Sequence, residues 1–489
     1  MTGVIICQAS SAMALAPLAI TGGAACLVLL LGVLLGVRAR LALTWLSVAA
    51  TAAVVLVAAL ALPHGGHAQP ILSDMWVSDR LALIFDLIIA TVAGMTLIVF
   101  HAFSREHAFA QDEFPALVLF ATAGMIMVVH ASHLLSLLVG IETMSIAAYA
   151  LVACRYHNSR GAEGALKYFL MGALATGFFV YGMALIYGTT GGELSLTGIA
   201  ARAEQAGNNP LFVIGVFLIL AALLFKVAAV PFHMWLPDAY EGAPTPVTGF
   251  MATGIKAAAF GGLLRLFGST FAAPQIALGH AGWARMLGLV AFATMTLGNL
   301  AALRQDSVKR MLAYSSIAHA GYLLVGMAAV GFGVAAAKPA LIFYLVAYAA
   351  TTLGAFVVVA WVGRKGDECL HVDEWAGLAR KRPALALVMT LFLLSLAGVP
   401  PTGGFFAKFY LFRAAVERPE LMWLVVAGVL NSVVSVYYYL RIVVAMYFRE
   451  RVETTEGYPS LAMGIVLVLL AVLVLGMGIV PTPVMSMVQ

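Results

Sequence analysis

Charge is scarce in this 489-residue chain: Asp, Glu, Lys and Arg make up 10% of it, against 63% hydrophobic residues. A water-soluble globule needs a larger polar shell, so the scarcity excludes an aqueous fold and makes lipid the solvent. The mean hydropathy of +1.01 agrees. Cysteine is nearly missing. Cys7, Cys26, Cys154 and Cys369 stand far apart with no CxxC pair, which supports neither an iron–sulfur cluster nor a structural zinc site. No glycine-rich dinucleotide loop follows a strand-like segment, because the 47 glycines are scattered through apolar runs. No redox cofactor is therefore expected in this chain. The opening residues MTGVIICQASSAMALAPLAI lack the basic stretch of a secretory signal, so the first run is expected to stay in the membrane uncleaved. The net charge of +5 does not point to nucleic acid, because the basic residues sit mainly between apolar runs, where membrane orientation accounts for them.

What is abundant is apolar sequence in span-length runs. Fourteen are read, beginning with 12–36, 41–62 and 81–102 and ending with 420–448 and 460–482. The expected fold is an all-α polytopic membrane protein, one transmembrane domain over 1–489. Arg38, Arg40, Arg105, Arg155, Arg160, Arg304, Lys309, Arg310, Arg364, Lys365, Arg380, Lys381, Arg382, Arg449 and Arg451 all follow odd-numbered runs. The opposite loops hold few, among them Arg202, Lys338 and Arg418. The positive-inside rule makes the first set cytoplasmic and puts both termini outside. Two runs, 210–236 and 384–415, carry prolines in their middles. The second would extend about 48 Å as one helix, against a hydrocarbon core of about 30 Å. Pro400 and Pro401 have no N–H for the carbonyls of Leu396 and Ala397, and Pro231 has none for Val227. These seventh and twelfth runs are expected to be broken helices in two five-helix units, 114–268 and 283–448, after three N-terminal helices in 1–110 and before a last one at 460–482.

Ionisable residues inside apolar runs carry the functional signal, since each costs about 2.5 to 3.5 kcal/mol at a helix centre. Glu142 is midway along the fifth run, Lys226 is five residues before Pro231, Lys256 is central in the eighth run, and Lys408 follows the second break. The competing reading of each is a structural salt bridge or a satisfied lysine. Lys167 is barely a turn into the sixth run, where its stem could snorkel to the interface. Asp86, Arg265 and Arg441 are taken as interface anchors. Burial lowers a lysine pKa and a carboxylate raises it again, so a buried lysine can exchange protons near neutrality where an arginine cannot. The expectation is that Glu142 holds Lys226 or Lys167 protonated, Lys256 bridges the two units and Lys408 releases outward. His233 and His319 are further relay candidates. His130 and His133 have a metal-like i, i+3 spacing, but no acid or cysteine stands near in sequence, and no metal is expected.

The segment FKVAAVPFHMWLPDAYEGAPTPVTGFMATGIK resembles the signature of the proton-translocating antiporter-like family: complex I pump subunits, Mrp cation/proton antiporters and membrane-bound hydrogenase subunits. RQDSVKRMLAYSSIAHAGYLLVG and the proline–glycine break before Lys408 support the resemblance. It implies fourteen helices, two inverted five-helix repeats with discontinuous seventh and twelfth helices, and functional roles for Glu142, Lys226, Lys256, Lys408 and Lys167. GGFFAKFYLF and LNSVVSVYYYLRIVVAMYF look like one pump-subunit type of complex I, and the chain stops after the fourteenth run without the long lateral helix of another type. The implied function is proton pumping from the cytoplasm across a bacterial inner membrane, driven by NADH oxidation and quinone reduction in other subunits. Those subunits would hold FMN and iron–sulfur clusters, and the partners would be neighbouring antiporter-like and small membrane subunits. A sodium/proton antiporter subunit and a non-conducting scaffold are the alternatives.

Overall fold

The computed structural model describes residues 2–106, 112–155, 158–279, 282–363, 368–450 and 460–489, with the backbone alone for 2–12, 37, 38, 67, 68 and 106. Arg364, Lys365 and Arg451 lie outside the described residues. Helices α1 (Thr2–Leu35) and α2 (Arg40–Ala61) lead into an antiparallel hairpin, β1 (Gly66–Ile71) with β2 (Trp76–Asp79). Then come α3 (Arg80–Glu106), α4 (Phe114–His130), α5 (Leu134–Ala153), α6 (Ser159–Thr189), the short α7 (Leu196–Ala206), α8 (Pro210–Lys226) and α9 (Trp235–Gly242). One apolar rod, Thr245–Thr270, is built from α10 (Thr245–Phe250), a π-helical turn Met251–Ile255, α11 (Lys256–Arg265) and a second π-helical turn Leu266–Thr270. The second half holds α12 (Pro274–Ala277), α13 (Trp283–Leu303), α14 (Val308–Gly331), α15 (Ala337–Val362), α16 (Leu378–Lys381), α17 (Pro383–Ala397), α18 (Gly403–Val416), α19 (Met422–Phe448), α20 (Leu461–Ile479) and α21 (Thr482–Val488). Among the described residues, eleven helices are long and apolar enough to cross a membrane, and α4, α8 and α17 are shorter apolar helices.

Local sequence sets the helix ends. Asn209 accepts from Leu211 N ahead of Pro210 at the first turn of α8, and Ser307 accepts from Arg310 N at the start of α14. The two expected breaks are present: α8 stops at Lys226 and α9 resumes at Trp235, while α17 stops at Ala397 and α18 resumes at Gly403. Lateral packing depends on small residues. A Cβ on Gly124 of α4 would lie 2.3 Å from Met144 N of α5, and one on Gly321 of α14 would lie 2.4 Å from Met295 N of α13. In both halves a helix pair thus meets backbone to backbone, the close approach that van der Waals packing in lipid favours.

Burial sorts the rods. The rod 245–270 is enclosed at all but Gly268 and Ser269, and α14 and α15 nearly so, whereas α1, α2, α6 and α19 present apolar side chains outward to lipid or neighbours. The chain ends share the hairpin face: Trp76 Nε1 donates to Ala14 O at 2.9 Å and Arg80 donates to Met487 O at 3.1 Å. Gly478 of α20 packs on the second break, where a Cβ would come within 2.2 Å of Pro401 O. Backbone there has no free end to swing away. Gly478→Ala is expected to destabilise the chain by about 1–3 kcal/mol through overpacking. A lowered thermal midpoint of the detergent-solubilised protein would show it.

Candidate functional site

Each broken helix exposes the negative end of a half-helix, since its last carbonyls have no intrahelical partner. A lysine stands at each end. In the first, Lys226 is the final residue of α8, and its Nζ donates to Ser145 Oγ of α5 at 2.6 Å, flanked by the rings of Tyr168 and Tyr149 at 5.4 and 5.6 Å. In the second, Lys408 of α18 reaches back across the break and donates to Leu396 O at 3.0 Å and Ala397 O at 2.9 Å, the two carbonyls that Pro400 and Pro401 cannot serve. Its third proton goes to Ser432 Oγ at 2.7 Å. Lys408 also lines a lateral cleft of about 610 Å³ with Phe409, Phe412, Arg413 and Ser432.

Between them runs a polar core. Lys256, just after the first π-helical turn, is buried and donates to the carbonyl of Ser316 at 2.6 Å and also to its hydroxyl. Tyr348 donates to Ser316 Oγ at 2.9 Å, and its ring lies 5.1 Å from that of His319. The His319 nitrogens meet Tyr344 Oη at 2.8 Å and Tyr439 Oη at 3.3 Å, and Tyr439 is bonded to Ser315. Next to it Tyr438 donates to Asn299 Oδ1 at 2.9 Å, while Asn299 Nδ2 donates to Tyr322 Oη at 3.0 Å. The Tyr322 ring lies 5.1 Å from Lys408 Nζ. Hydroxyls, an imidazole and amides thus lead from Lys256 to the surroundings of Lys408, and each hydroxyl both donates and accepts. His319 and the central lysines were legible in the sequence. The tyrosines and serines were missed, although Tyr344 and Tyr348 at i, i+4 on a largely apolar helix and the SSIAH run gave a signal.

Several expectations are corrected. Glu142 is half-buried and accepts from Thr176 Oγ1; among the described residues it makes no ion pair with Lys226 or Lys167, and Ser145, one turn further along α5, takes the Lys226 ammonium while the Glu142 charge acts on it from a distance. Lys167 is 44% exposed and pairs with Glu163 at 2.6 Å and Asp238 at 2.7 Å. Asp238 also meets Arg310 at 2.9 Å, and Arg310 meets Glu241 at the same distance, so α9 is bracketed by cations from α6 and α14. The acids of PDAYEG were passed over because they stand three apart in a broken helix rather than inside an apolar run. His233 is half-buried in the first break, its Nδ1 enclosed without a partner among the described residues. Asp86 is no interface anchor: it is wholly buried and bonded to His130 at 2.8 Å, so an acid does stand beside His130 in space. Arg265 is buried too, held by both oxygens of Asp79 at 2.6 and 2.8 Å. Lys309 is not a surface loop cation, being fully buried against Glu368 at 3.1 Å. Arg441 pairs with Asp306 at 3.5 Å near a helix end. Among the described residues no group of three His, Cys, Asp or Glu could hold a metal ion.

Comparison with known proteins places this geometry. The family described as NADH:quinone oxidoreductase/Mrp antiporter matches residues 131–435, which include both breaks and all seven site candidates. A protein of Trichlorobacter lovleyi named NADH-quinone oxidoreductase subunit N is 45% identical over 420 residues, covering 85% of this chain and 84% of the relative. The chain belongs to the NADH-quinone oxidoreductase subunit N family. A Sorangium cellulosum member, subunit N 1, is 46% identical over 423 residues, 84% of this chain and 82% of its own. Among solved structures, a chain of respiratory complex I from Thermus thermophilus with bound aureothin superposes with a TM-score of 0.79 at 36% identity, covering 96% of this chain and 98% of that one. A chain of an archaeal membrane-bound sulfane sulfur reductase superposes at 0.83 with 27% identity, covering 98% and 96%. A chain of the Mrp complex from Dietzia sp. shares the fold at 0.81 and 21% identity over 96% of each chain.

Proposed function

We propose that this chain is a proton-translocating membrane subunit of NADH-quinone oxidoreductase, working in the bacterial inner membrane beside other membrane subunits. Protons pass from the cytoplasm to the outer side through Lys226, Lys256, His319 and Lys408, while partner subunits, which hold FMN and the iron–sulfur clusters, oxidise NADH and reduce quinone. The observation that carries this reading is the hydroxyl, imidazole and amide series that leads from Lys256 to Lys408 at the second half-helix end, enclosed within the bundle. Lys226 and Lys408 each sit where a half-helix end favours a positive charge, and burial opposes that charge, so a small change nearby tips either lysine between ammonium and amine. The Lys167–Asp238–Arg310–Glu241 cluster lies on the basic, cytoplasmic side and serves as the receiving surface, with His233 at the break beyond it. The two breaks and the two backbone-close helix pairs support the five-helix units 114–268 and 283–448, and both termini face outward.

Glu142 adds a reason for a neighbour. It shares one stripe of α5 with Leu135, Val139 and Ile146, all exposed on the isolated chain. A carboxylate facing lipid there costs about 2.5 to 3.5 kcal/mol, so another membrane subunit covers this stripe. Replacing Lys408 by Met in the intact complex tests the reading. Proton uptake into inverted membrane vesicles per NADH oxidised is expected to fall severalfold, with the complex still assembled on native gels and copurifying with flavin and iron–sulfur subunits. Normal uptake by the assembled variant would remove Lys408 from the path.

A further inference from the structure

The Asp86–His130 pair lies apart from the series described above, on the hairpin side of the bundle. His130 Nδ1 is 2.9 Å from Val77 O, and a carbonyl can only accept, so Nδ1 carries the hydrogen. The remaining nitrogen, Nε2, is 2.8 Å from Asp86 Oδ2. Two bare acceptors do not approach so closely. One proton therefore resides between them, shared as imidazolium with carboxylate or as imidazole with carboxylic acid. The other carboxyl oxygen, Asp86 Oδ1, is buried and finds no partner among the described residues. A purely structural clamp gains nothing from an unfilled acceptor in an apolar interior, which costs about 1–3 kcal/mol.

The surroundings suit a changing charge. Trp76 stacks on the His130 ring with centroids 4.3 Å apart, an arrangement that stabilises an imidazolium. The ionisable group whose charge reaches the pair is Asp79 of β2, which acts on His130; Arg265 of α11 pairs with Asp79, and Lys338 of α15 feels the charges of Asp79 and Arg265. Arg265 holds Asp79 in a two-pronged ion pair and also donates to Val129 O at 2.6 Å, next to His130. Burial raises the Asp79 pKa, but the hydrogen bonds and charge of Arg265 outweigh it and keep this carboxyl ionised below its ordinary value. The same helix links the pair to the centre. Gly261 of α11 packs against Val129 and Phe85, the chain neighbours of His130 and Asp86, and stands five residues beyond Lys256, about 7.5 Å along the axis.

We propose that Asp86 and His130 form a proton-holding site between Lys256 and the hairpin side, loaded by a second proton on Asp86 Oδ1. This rests on the proton-translocation reading. Loading converts the imidazolium–carboxylate pair to imidazolium and carboxylic acid; unloading returns the proton and restores the pair, with no bond between heavy atoms made or broken. Its release face is the one the basic loops mark as outer.

The test uses the intact complex in membrane vesicles, with Lys256→Met as reference. The double variant Asp86→Asn with His130→Gln keeps a neutral hydrogen bond between α3 and α4 but has no proton to hold. Assembly at parent level with proton uptake per NADH lowered as far as in Lys256→Met is expected. Parent-level uptake in the double variant, while Lys256→Met is impaired, overturns this inference and leaves the translocation reading standing. Parent-level uptake in both overturns the translocation reading itself. Should the double variant fail to assemble, Asp86→Glu keeps an acid at the site, and infrared difference spectra between resting and NADH-reduced membranes decide. A shifted carboxylic-acid C=O band relative to the parent supports the site, and an unshifted spectrum overturns it.

Discussion

Replacing Lys256 by methionine is expected to lower proton uptake per NADH oxidised at least tenfold through this subunit's own path, while the chain stays folded. Methionine matches the length of the lysine stem and fills the same apolar channel, so the cavity penalty is small. The Ser316 carbonyl that loses its ammonium donor belongs to an α-helix and keeps its backbone partner. What disappears is, among the described residues, the only charge-bearing group bonded to Ser316, which is the head of the hydroxyl and histidine series. Lys256→Arg separates the two explanations of the defect. An arginine keeps the positive charge but does not release its proton, so a relay is lost with Arg as with Met, whereas a purely electrostatic role is rescued by Arg. Proton uptake measured for both variants in the same vesicles gives the answer, and recovery with arginine would remove Lys256 from the relay.

Replacing Glu368 by alanine is expected to destabilise the chain by about 3–5 kcal/mol, because it leaves Lys309 charged and fully buried. Glu368 ties two helices: one oxygen accepts from Lys309 of α14 at 3.1 Å, the other from Thr245 N at 3.2 Å and Thr245 Oγ1 at 3.0 Å at the start of α10. Lys309 also donates to Ala243 O, just past α9, so the ion pair clasps the end of the first broken helix. Backbone bonds from Val308 N to Leu370 O and from Val372 N to Asp306 O hold the clasp in register. Burial alone would raise the Glu368 pKa, but the Lys309 charge and hydrogen bond and the Thr245 donors bring it below the ordinary 4.5. The stabilisation is therefore fully present above pH 4.5 and is lost as pH falls through the lower folded-state value. Thermal midpoints of Glu368→Ala in detergent should be depressed at pH 7 and converge on the parent in acid. Lys309→Met with Glu368→Gln should recover most of the loss, and an undiminished midpoint in Glu368→Ala alone would show the pair to be idle.

Where sequence reasoning succeeded, a local rule decided the matter. Composition and run length set the solvent and the helices, because lipid leaves a backbone few ways to satisfy its own polar groups. Proline chemistry located both breaks to within a few residues and even named the carbonyls of Leu396 and Ala397 as unserved. The cost of charge in lipid singled out Lys226, Lys256 and Lys408, all of which are buried. Where it failed, the deciding partner was remote along the chain. Asp86 and His130 are 44 residues apart, Lys309 and Glu368 are 59, and Lys408 and Ser432 sit on different helices. A residue near a run's end reads as an interface anchor or a loop cation when seen alone, and only packing shows Asp86 and Lys309 to be enclosed.

The charges inside apolar helices were thus determined by the sequence itself, since their insertion cost depends on the residue and its depth alone. Their partners were decided by the tertiary structure: Ser145 rather than Glu142 for Lys226, two backbone carbonyls for Lys408, and His130 for Asp86. Pairing is a matter of distances of about 3 Å between atoms on separate helices, and no one-dimensional pattern fixes which faces those helices turn to each other.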